Sequence, residues 1–329
     1  MYTLAPKIKK ILVTGSAGFI GFHVVRKLLE QGCAVVGVDS LNTYYDPTLK
    51  DHRNDILKHS AQYTFYKNDV SEFDAFLAVV EKEKPDAIIH LAAQAGVRYS
   101  LQNPWAYEQA NTLGTINVFE ATRRCSIDRV ILASSSSVYG ANTKIPFSEG
   151  DITDSPVSLY AATKKSCELV AHTYHHLYGI KVAALRFFTV YGEYYRPDMA
   201  LFIFAKRILQ NQPIDLFNYG KMKRDFTYID DIVDGLMGAL GKKDLNYEIY
   251  NLGGDNPVEL EYVVELLEKG LGRKAIKNYM SMQPGDVEVT YADITKARSE
   301  LGYIPKVSIE EGLSRFCVWF LENKEWLSK

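Results

Sequence analysis

Cysteine is scarce in this sequence, and the four that occur among its 329 residues lie far apart. Cys33, Cys125, Cys167 and Cys317 form no Cys-x-x-Cys pair, so their spacing argues against both a disulfide framework and a cysteine-bound metal. Isolated cysteines are typical of proteins in a reducing compartment. We therefore expect a cytoplasmic protein that binds no metal.

Long apolar runs and an excess of either charge are also missing. No apolar run approaches the roughly 20 residues of a membrane-spanning helix, and the first ten residues contain no apolar signal core. The 38 basic and 40 acidic residues are interleaved, so no broad electropositive face is expected. We therefore expect neither a membrane nor a nucleic acid as partner. Hydrophobic residues make up 47% of the chain, which is enough to bury the core of one large or two ordinary domains.

A glycine turn lies between the first predicted strand and the first predicted helix. Residues 11–14 form a short β-branched run, and residues 22–31 have helical periodicity. Between them lie Gly15, Gly18 and Gly21. Glycines at such a turn let backbone amides approach a pyrophosphate, and the helix N-terminus adds partial positive charge. The pattern predicts a dinucleotide site.

The next two predicted strands each end at an acidic residue. Residues 34–38 lead to Asp39, whose carboxylate is placed to accept hydrogen bonds from an adenosine ribose. A carboxylate there also repels a 2′-phosphate, so we expect NAD rather than NADP as the cofactor. Residues 63–68 lead to Asp69 and Val70, and an acid at that strand end suits the exocyclic amine of adenine.

Strands and helices continue to alternate along the first part of the chain. Amphipathic patterns over 73–82 and 104–124 predict helices, and the unbroken apolar run over 87–93 predicts a strand that is buried on both faces. His90 lies within that run, so we interpret it as a core residue. This alternation predicts an α/β fold with a doubly wound parallel sheet.

The composition changes after residue 188, where aromatic and charged residues outnumber branched aliphatic ones. We predict a dinucleotide-binding domain from residues 1–188 and about 228–255. Residues 189–227 and about 256–329 then form a second, smaller α/β substrate lobe. Within this part the pattern predicts a helix over 199–211, a strand over 214–217, a basic loop over 221–225 and a mostly helical tail from 260.

Tyr160 and Lys164 form the most informative pair in the sequence. Four residues apart on a helix, the phenol and the ammonium share one face. A phenol is a poor base at neutral pH unless a nearby positive charge favours the phenolate. Four serines at 134–137 follow the buried run 130–132, at a strand end where α/β sheets bind ligands. A Tyr-x-x-x-Lys pair alone occurs by chance in many proteins, so the surrounding motifs carry the interpretation.

Histidines and cysteine on the same helix have a simpler interpretation. His172 and His176 stand four residues apart with His175 between them, but no third ligand of the right type is nearby. We expect these histidines to face solvent and Cys167 to serve packing.

Taken together, these motifs resemble the extended short-chain dehydrogenase/reductase family, which acts on nucleotide sugars. The resemblance covers nearly the whole chain. Within that family, the strings at 96–100, 196–200, 219–231 and 283–287 resemble those of UDP-glucuronate 4-epimerases. The resemblance implies a Rossmann domain with NAD, a UDP-sugar substrate and a homodimer formed through helices at 104–124 and 158–178.

The resemblance also implies the roles of individual residues. Tyr160 is the base, Lys164 its electrostatic partner, and Ser135 the hydroxyl that faces the reacting oxygen, although chemistry alone leaves the choice among serines 134–137 open. The implied cofactor contacts are Gly15, Gly18, Phe19, Ile20, Gly21, Asp39, Asp69, Val70, Leu91, Ala92, Ala93, Asn111, Tyr160 and Lys164. The implied substrate contacts are Arg98, Ser136, Ser137, Thr189, Arg196, Phe217, Arg224, Gln283 and Asp286.

Two of these contacts bear on the substrate. Gln283 stands where galactose epimerases usually carry an arginine, which leaves Arg224 as the clearest diphosphate ligand and weakens a neutral-hexose assignment. Arg196, with Thr189, is expected to bind a uronate carboxylate.

The activity implied is NAD-dependent C4 epimerisation of UDP-glucuronate to UDP-galacturonate through a transient 4-keto sugar. A UDP-glucuronate decarboxylase and another UDP-hexose 4-epimerase are the nearest alternatives. A dehydratase usually carries an Asp-Glu pair where this chain has Ser136 and Ser137. A catalytically silent NAD sensor is the non-enzyme alternative, because a dinucleotide fold does not specify chemistry.

Overall fold

A sheet of seven parallel strands lies at the centre of this computed structural model, which describes residues 8–282 and 287–327. The strands are, in chain order, β1 (Lys10–Thr14), β2 (Ala34–Asp39), β3 (Tyr63–Lys67), β4 (Ala87–His90), β5 (Arg129–Ser135), β6 (Lys181–Phe187), β7 (Thr189–Tyr191), β8 (Pro213–Leu216), β9 (Lys223–Tyr228), β10 (Tyr247–Leu252), β11 (Pro257–Glu259) and β12 (Ile276–Tyr279). The order in the large sheet is β10-β6-β5-β4-β1-β2-β3. The predicted α/β class with a doubly wound parallel sheet is confirmed.

Helices cover both faces of this sheet. They are α1 (Phe19–Glu30), α2 (Thr48–Lys58), α3 (Phe73–Glu83), α4 (Tyr99–Gln102), α5 (Pro104–Tyr107), α6 (Gly114–Arg124), α7 (Leu159–Tyr178), α8 (Ala200–Leu209), α9 (Ile229–Gly241), α10 (Leu260–Leu271), α11 (Thr295–Leu301), α12 (Ile309–Glu322) and α13 (Lys324–Leu327). Helices α1 and α9 bury one face, and α3, α6 and α7 bury the other. Within the described ranges, none of these helices has the length and apolarity that a membrane crossing requires.

The order of the large sheet reverses between β1 and β4, because the chain builds outward from β1 in one direction and then from β4 in the other. At such a point the loops after neighbouring strands diverge and leave a crevice at the carboxyl ends. The glycine turn follows β1 and residues 91–98 follow β4, so both border this crevice.

Smaller sheets are built from the later part of the chain. One contains β11, β9 and β7, and the other pairs β12 with β8 in parallel. Between β9 and β11 the chain returns to the large sheet and forms β10, which pairs with β6. The exact division into two domains stays a prediction.

Two local expectations need correction, and one helix was missed. The predicted basic loop over 221–225 is wrong in part, since Lys223–Tyr228 is the central strand of the three-stranded sheet. The charged residues at its start are typical of a loop, but Asp225 and Thr227, on one face of this strand, are buried. Helix α2 was not anticipated. The helix expected over 104–124 is divided, because Glu108–Leu113 takes a π-helical turn between α5 and α6.

Candidate active site

A deep cleft runs along the carboxyl ends of the large sheet and continues between that sheet and the later part of the chain. It brings together most of the residues that the sequence singled out. Those that line it are Gly15, Gly18, Phe19, Ile20, Gly21, Asp39, Asp69, Val70, Leu91, Ala92, Ala93, Ser135, Ser136, Ser137, Tyr160, Lys164, Thr189, Arg196 and Arg224.

The glycine turn between β1 and α1 is too tight for side chains. Gly15 has a φ of +71°, and a Cβ there would lie 2.7 Å from the backbone nitrogen of Ala92. A Cβ on Gly21 would lie 2.0 Å from the Gly15 carbonyl oxygen. Helix α1 begins after Gly18 with no side-chain cap, so its first amide groups remain available to an anion from the cleft. These residues fit the pyrophosphate of a dinucleotide.

Asp39 ends β2 beside this turn. One of its carboxylate oxygens accepts from the Ala17 amide at 3.1 Å and the other from the Leu41 amide at 2.9 Å. Burial raises the pKa of this carboxyl, although these backbone bonds and the nearby Lys50 oppose that rise. Two amides therefore aim the carboxylate along the cleft rim, where a ribose would lie.

Helix α7 presents Tyr160 and Lys164 to the cleft. Ser158 caps the helix by accepting from the Ala161 amide at 3.1 Å, which fixes where its first turn begins. The Lys164 ammonium is buried and donates to the Ala133 carbonyl of β5 at 2.8 Å. The Tyr160 hydroxyl makes no hydrogen bond to any residue within the described ranges, and its ring lies edge-on to Tyr107. The phenol is thus held by its ring and open to a ligand.

The two serines that end β5 have different hydrogen-bond partners. Ser134 donates to a carboxylate oxygen of Glu168 at 2.6 Å, inside the protein. Ser135 points the other way, and its hydroxyl accepts from the Ser137 amide at 3.1 Å. Neighbouring residues of a strand face opposite sides, and although both serines line the cleft, the Ser134 hydroxyl is already bonded to Glu168. The geometry favours Ser135 over Ser134.

A buried ion pair between Glu168 and Arg186 lies next to Lys164 and the serines of β5. Glu168, one helical turn beyond Lys164, accepts two hydrogen bonds of 2.9 Å from the guanidinium of Arg186 on β6. The Glu168 and Arg186 side chains are only 1% and 2% exposed. The guanidinium carbon also lies 4.8 Å from the Tyr139 ring centre. The pair joins the helix of Tyr160 to two strands of the sheet.

Thr189, Arg196 and Arg224, from the later part of the chain, also line the cleft. Arg224 donates to the Glu288 carbonyl at 3.1 Å. Arg196 is paired with Asp198, and its Nε lies 3.0 Å from Oδ1. The expected carboxylate ligand therefore already holds a carboxylate of the chain itself.

Some of the predicted residues are not brought to the cleft. The amide of Asn111 is buried and bonded to Gln94 and Thr163, so the predicted cofactor contact is not supported by this geometry. Arg98 and Phe217 do not line the cleft but pack on each other, with the guanidinium carbon 4.8 Å from the ring centre. Gln283 and Asp286 lie outside the described residues.

Several cleft residues were missed by the sequence interpretation. Tyr44 and Lys50 come from the segment after β2 and line the cleft. Arg53 of α2 is fully buried and donates to the carbonyls of Ala17 and Tyr194. It therefore connects the glycine turn to the segment that follows β7. The rule that ligands bind beyond strand ends could have pointed to the segment after Asp39.

His90 and Cys167 are core residues, as expected. His90 is buried between the hydroxyls of Thr14 and Thr115, and burial lowers its pKa to about 3. Cys167 is buried nearby. His172 and His176 are exposed, as expected, whereas His175 is half-buried and its Nδ1 lies 2.9 Å from the Ile180 carbonyl oxygen. Among the residues that the structure describes, no group of three potential ligands could hold a metal ion.

Comparison with known proteins supports this interpretation of the cleft. Residues 11–253 match the model of the NAD dependent epimerase/dehydratase family. The chain is 60% identical to an uncharacterized protein of Methanocaldococcus jannaschii, covering 98% of this chain and 99% of that one. It is 48% identical to the UDP-glucuronate 4-epimerase of Thermodesulfobacterium geofontis, covering 95% and 97%.

A solved structure is also similar. The UDP-glucuronic acid 4-epimerase of Bacillus cereus, in complex with UDP-glucuronic acid and NAD, matches with a TM-score of 0.90 and 36% identity over 95% of this chain and 99% of that one. The predicted family and the predicted NAD dependence are thereby confirmed. The chain belongs to the NAD dependent epimerase/dehydratase family.

Proposed function

We propose that this protein converts UDP-glucuronate to UDP-galacturonate by inverting carbon C4 of the sugar, with NAD as a cofactor that is regenerated in each cycle. The observation that carries the proposal is the cleft itself. Tyr160, Lys164 and Ser135 line it together with the glycine turn, Arg196 and Arg224. The relatives at 48% and 36% identity support the same activity.

Tyr160 is the base in this proposal. Its phenol oxygen removes the proton of the C4 hydroxyl, while Ser135 holds the same sugar oxygen by a hydrogen bond. The open hydroxyl of Tyr160 suits this role, because a base must reach its proton directly. Ser137 keeps the Ser135 hydroxyl in place, with their oxygens 3.1 Å apart.

Lys164 supplies the positive charge that favours a phenolate. One of its three N–H donors is bonded to the Ala133 carbonyl, which fixes the ammonium beneath the cleft floor. Its other two N–H donors remain for a ribose hydroxyl of the cofactor. The ammonium charge acts on the Tyr160 oxygen. Because burial leaves little water to screen this charge, its effect on a neighbouring oxygen is larger than at the surface.

The chain's own residues fit NAD at the glycine turn, at Asp39 and at Lys164. When bound there, NAD accepts a hydride from C4 and later returns it to the opposite face of the ring. Between these events the 4-keto sugar must turn within the cleft without leaving. Arg224, which also lines the cleft, holds the diphosphate during that rotation in this proposal.

Arg196 and Thr189 are proposed to bind the acid group of the sugar. The 4-keto form of a uronic acid is a β-keto acid, and such acids lose carbon dioxide readily. A guanidinium opposes that loss, because it stabilises the carboxylate charge that decarboxylation would remove. This requirement separates an epimerase from a decarboxylase acting on the same intermediate.

The test is direct assay with UDP-glucuronate. Purified protein with NAD should yield UDP-galacturonate, observed by NMR, with little pentose nucleotide. The Tyr160→Phe variant should bind NAD and UDP nearly normally, yet turn over at least about 100-fold more slowly, as expected for loss of a general base. Conversion to a pentose nucleotide alone would favour the decarboxylase, and inversion of UDP-glucose but not UDP-glucuronate would favour a UDP-hexose epimerase.

We also infer that the protein works as a homodimer in the cytoplasm. Large apolar side chains are exposed along neighbouring helices: Leu101 on α4, Trp105 on α5, Ile116 on α6, and Leu169 and Leu177 on α7. Several large exposed apolar side chains on adjoining helices are typical of an interface. The isolated cysteines support the location.

A further inference from the structure

Asp198 occupies one edge of the Arg196 guanidinium. Arg196 donates through Nε and Nη2 to the two oxygens of Asp198, and the Nε···Oδ1 distance is 3.0 Å. A guanidinium carries five N–H donors in a plane, so a bidentate carboxylate on the Nε side leaves the Nη1 side for a second acceptor. Within the described residues, Nη1 has no such acceptor, and Arg196 lines the cleft. The arginine is therefore aimed by Asp198 and still able to bind a ligand.

Asp198 is held in turn by Tyr44. The Tyr44 hydroxyl donates to Oδ2 of Asp198 at 3.1 Å, and its ring packs on Tyr99 with the ring centres 4.7 Å apart. Burial and the Asp198 charge raise the pKa of Tyr44 to about 12, so this hydroxyl is a donor at neutral pH. A Cβ on Gly96 would lie 3.2 Å from the Tyr44 oxygen, so the absence of a side chain there makes room for the contact.

We propose that Asp198 is a positioning residue that suppresses decarboxylation by fixing the direction from which Arg196 meets the substrate carboxylate, and that Tyr44 fixes Asp198. The inference rests on the proposed function, because it concerns a uronate bound at Arg196. What Asp198 adds is a fixed geometry in which the guanidinium charge meets the substrate carboxylate, whereas a lone arginine would offer attraction without that geometry.

The reaction that this geometry opposes can be stated fully. In the 4-keto sugar, loss of carbon dioxide breaks the C5–C6 bond, and its electron pair forms an enolate with the C4 ketone. C5 then takes a proton, and return of the hydride to C4 gives a pentose nucleotide. If the keto-pentose leaves first, NADH remains on the protein. A cation held against the carboxylate opposes the first step, whereas a swinging guanidinium does so only part of the time.

The experiment compares Asp198→Asn and Tyr44→Phe with the wild-type holoenzyme on UDP-glucuronate. Asparagine keeps the shape but cannot accept two charge-assisted bonds, so the pentose fraction of the product should rise on the order of tenfold, which is the effect of losing about one such bond. Tyr44→Phe should raise it less. Products are separated by anion-exchange chromatography, and retained NADH is read by absorbance. Affinity for UDP, which lacks the acid group, should not change.

A double variant tests whether Asp198 acts by positioning Arg196 or whether its replacement only loosens the fold. If Asp198 acts through Arg196, then Arg196→Ala with Asp198→Asn should give the same pentose fraction as Arg196→Ala alone. Asp215→Asn, which removes an exposed partner of Arg207, is the matched control and should keep the wild-type product ratio.

The results distinguish a failure of this inference from a failure of the proposed function. An unchanged pentose fraction in Asp198→Asn, or an additive effect in the double variant, would overturn the inference and leave the proposed function intact. Absence of any C4 epimer from the wild-type protein would instead overturn the proposed function, and the inference with it.

Discussion

Asp225 is a fully buried carboxyl beside the cleft residue Arg224. One oxygen accepts from the Gly254 amide and the other from the Ala292 amide at 3.0 Å. It thereby joins β9 to the loops on either side of it. Burial, with a smaller contribution from the neighbouring Asp255 carboxylate, raises the pKa of Asp225 to about 6.

This raised pKa predicts how stability depends on pH. Between the unfolded value of 3.8 and about 6, the folded protein holds a proton that the unfolded chain has released. The free energy of unfolding due to Asp225 must therefore fall as pH rises through this window. Relative to Asp225→Asn, which does not titrate, the wild-type protein should lose about 2 kcal/mol between pH 4.5 and 7.5.

Urea unfolding of both proteins at several pH values measures this difference, because contributions from all other groups cancel. A difference that stays constant across the window would show that Asp225 is not protonated more readily in the folded state.

At the scale of elements, helix α7 carries both the proposed catalytic pair and the buried ion pair that supports it. Tyr160 and Lys164 face the cleft, and Glu168 on the next turn forms the buried pair with Arg186. A buried pair contributes little net stability compared with an apolar replacement, but removal of one partner leaves an uncompensated charge. The pair therefore acts mainly to fix how α7 sits on β5 and β6.

Glu168→Gln should consequently lower the free energy of unfolding by about 3–5 kcal/mol, because Arg186 is left buried without a counter-charge. Urea unfolding with Glu120→Gln as control makes the comparison, since Glu120 pairs with Arg123 and Arg124 at the surface of α6 and should contribute at most about 1 kcal/mol.

Replacing both members of the pair, as Glu168→Leu with Arg186→Met, should recover much of the loss. Equal effects of the Glu168 and Glu120 variants would mean that the buried pair does not anchor this helix.

At the scale of the whole molecule, the proposed dimer would cover the exposed apolar side chains on α4 to α7. Trp105 is 78% exposed and Leu177 is 59% exposed. Single exposed apolar residues are ordinary, but several on adjoining helices are not.

The variant Trp105→Glu with Leu177→Glu should therefore be monomeric, because dimerisation would bury four charges without partners. Size-exclusion chromatography with light scattering should give the chain mass of 37.2 kDa for this variant and twice that mass for the wild-type protein. Ile304→Glu, at an equally exposed apolar residue away from these helices, should stay dimeric. A wild-type protein that elutes as a monomer would refute the proposed dimer.

The strand β9 illustrates where local pattern failed. Its first residues are charged, and a run of this composition is typical of a solvated loop. The segment is a strand because β7 and β11 flank it on both sides and take up its backbone hydrogen bonds. Those partners lie tens of residues away in the chain, so no window around β9 could reveal them.

The sequence by itself determined the alternation of strands and helices, the glycine turn, the acids at strand ends and the Tyr160–Lys164 pair. These features depend on residues close together in the chain, where spacing alone sets which side chains share a face. Only the tertiary structure decided which serine is bonded to a carboxylate inside the protein and what holds Arg196. Ser134 is occupied by Glu168, and Tyr44 meets Asp198 across 154 positions of sequence. Such contacts arise from packing between elements, which local spacing cannot encode.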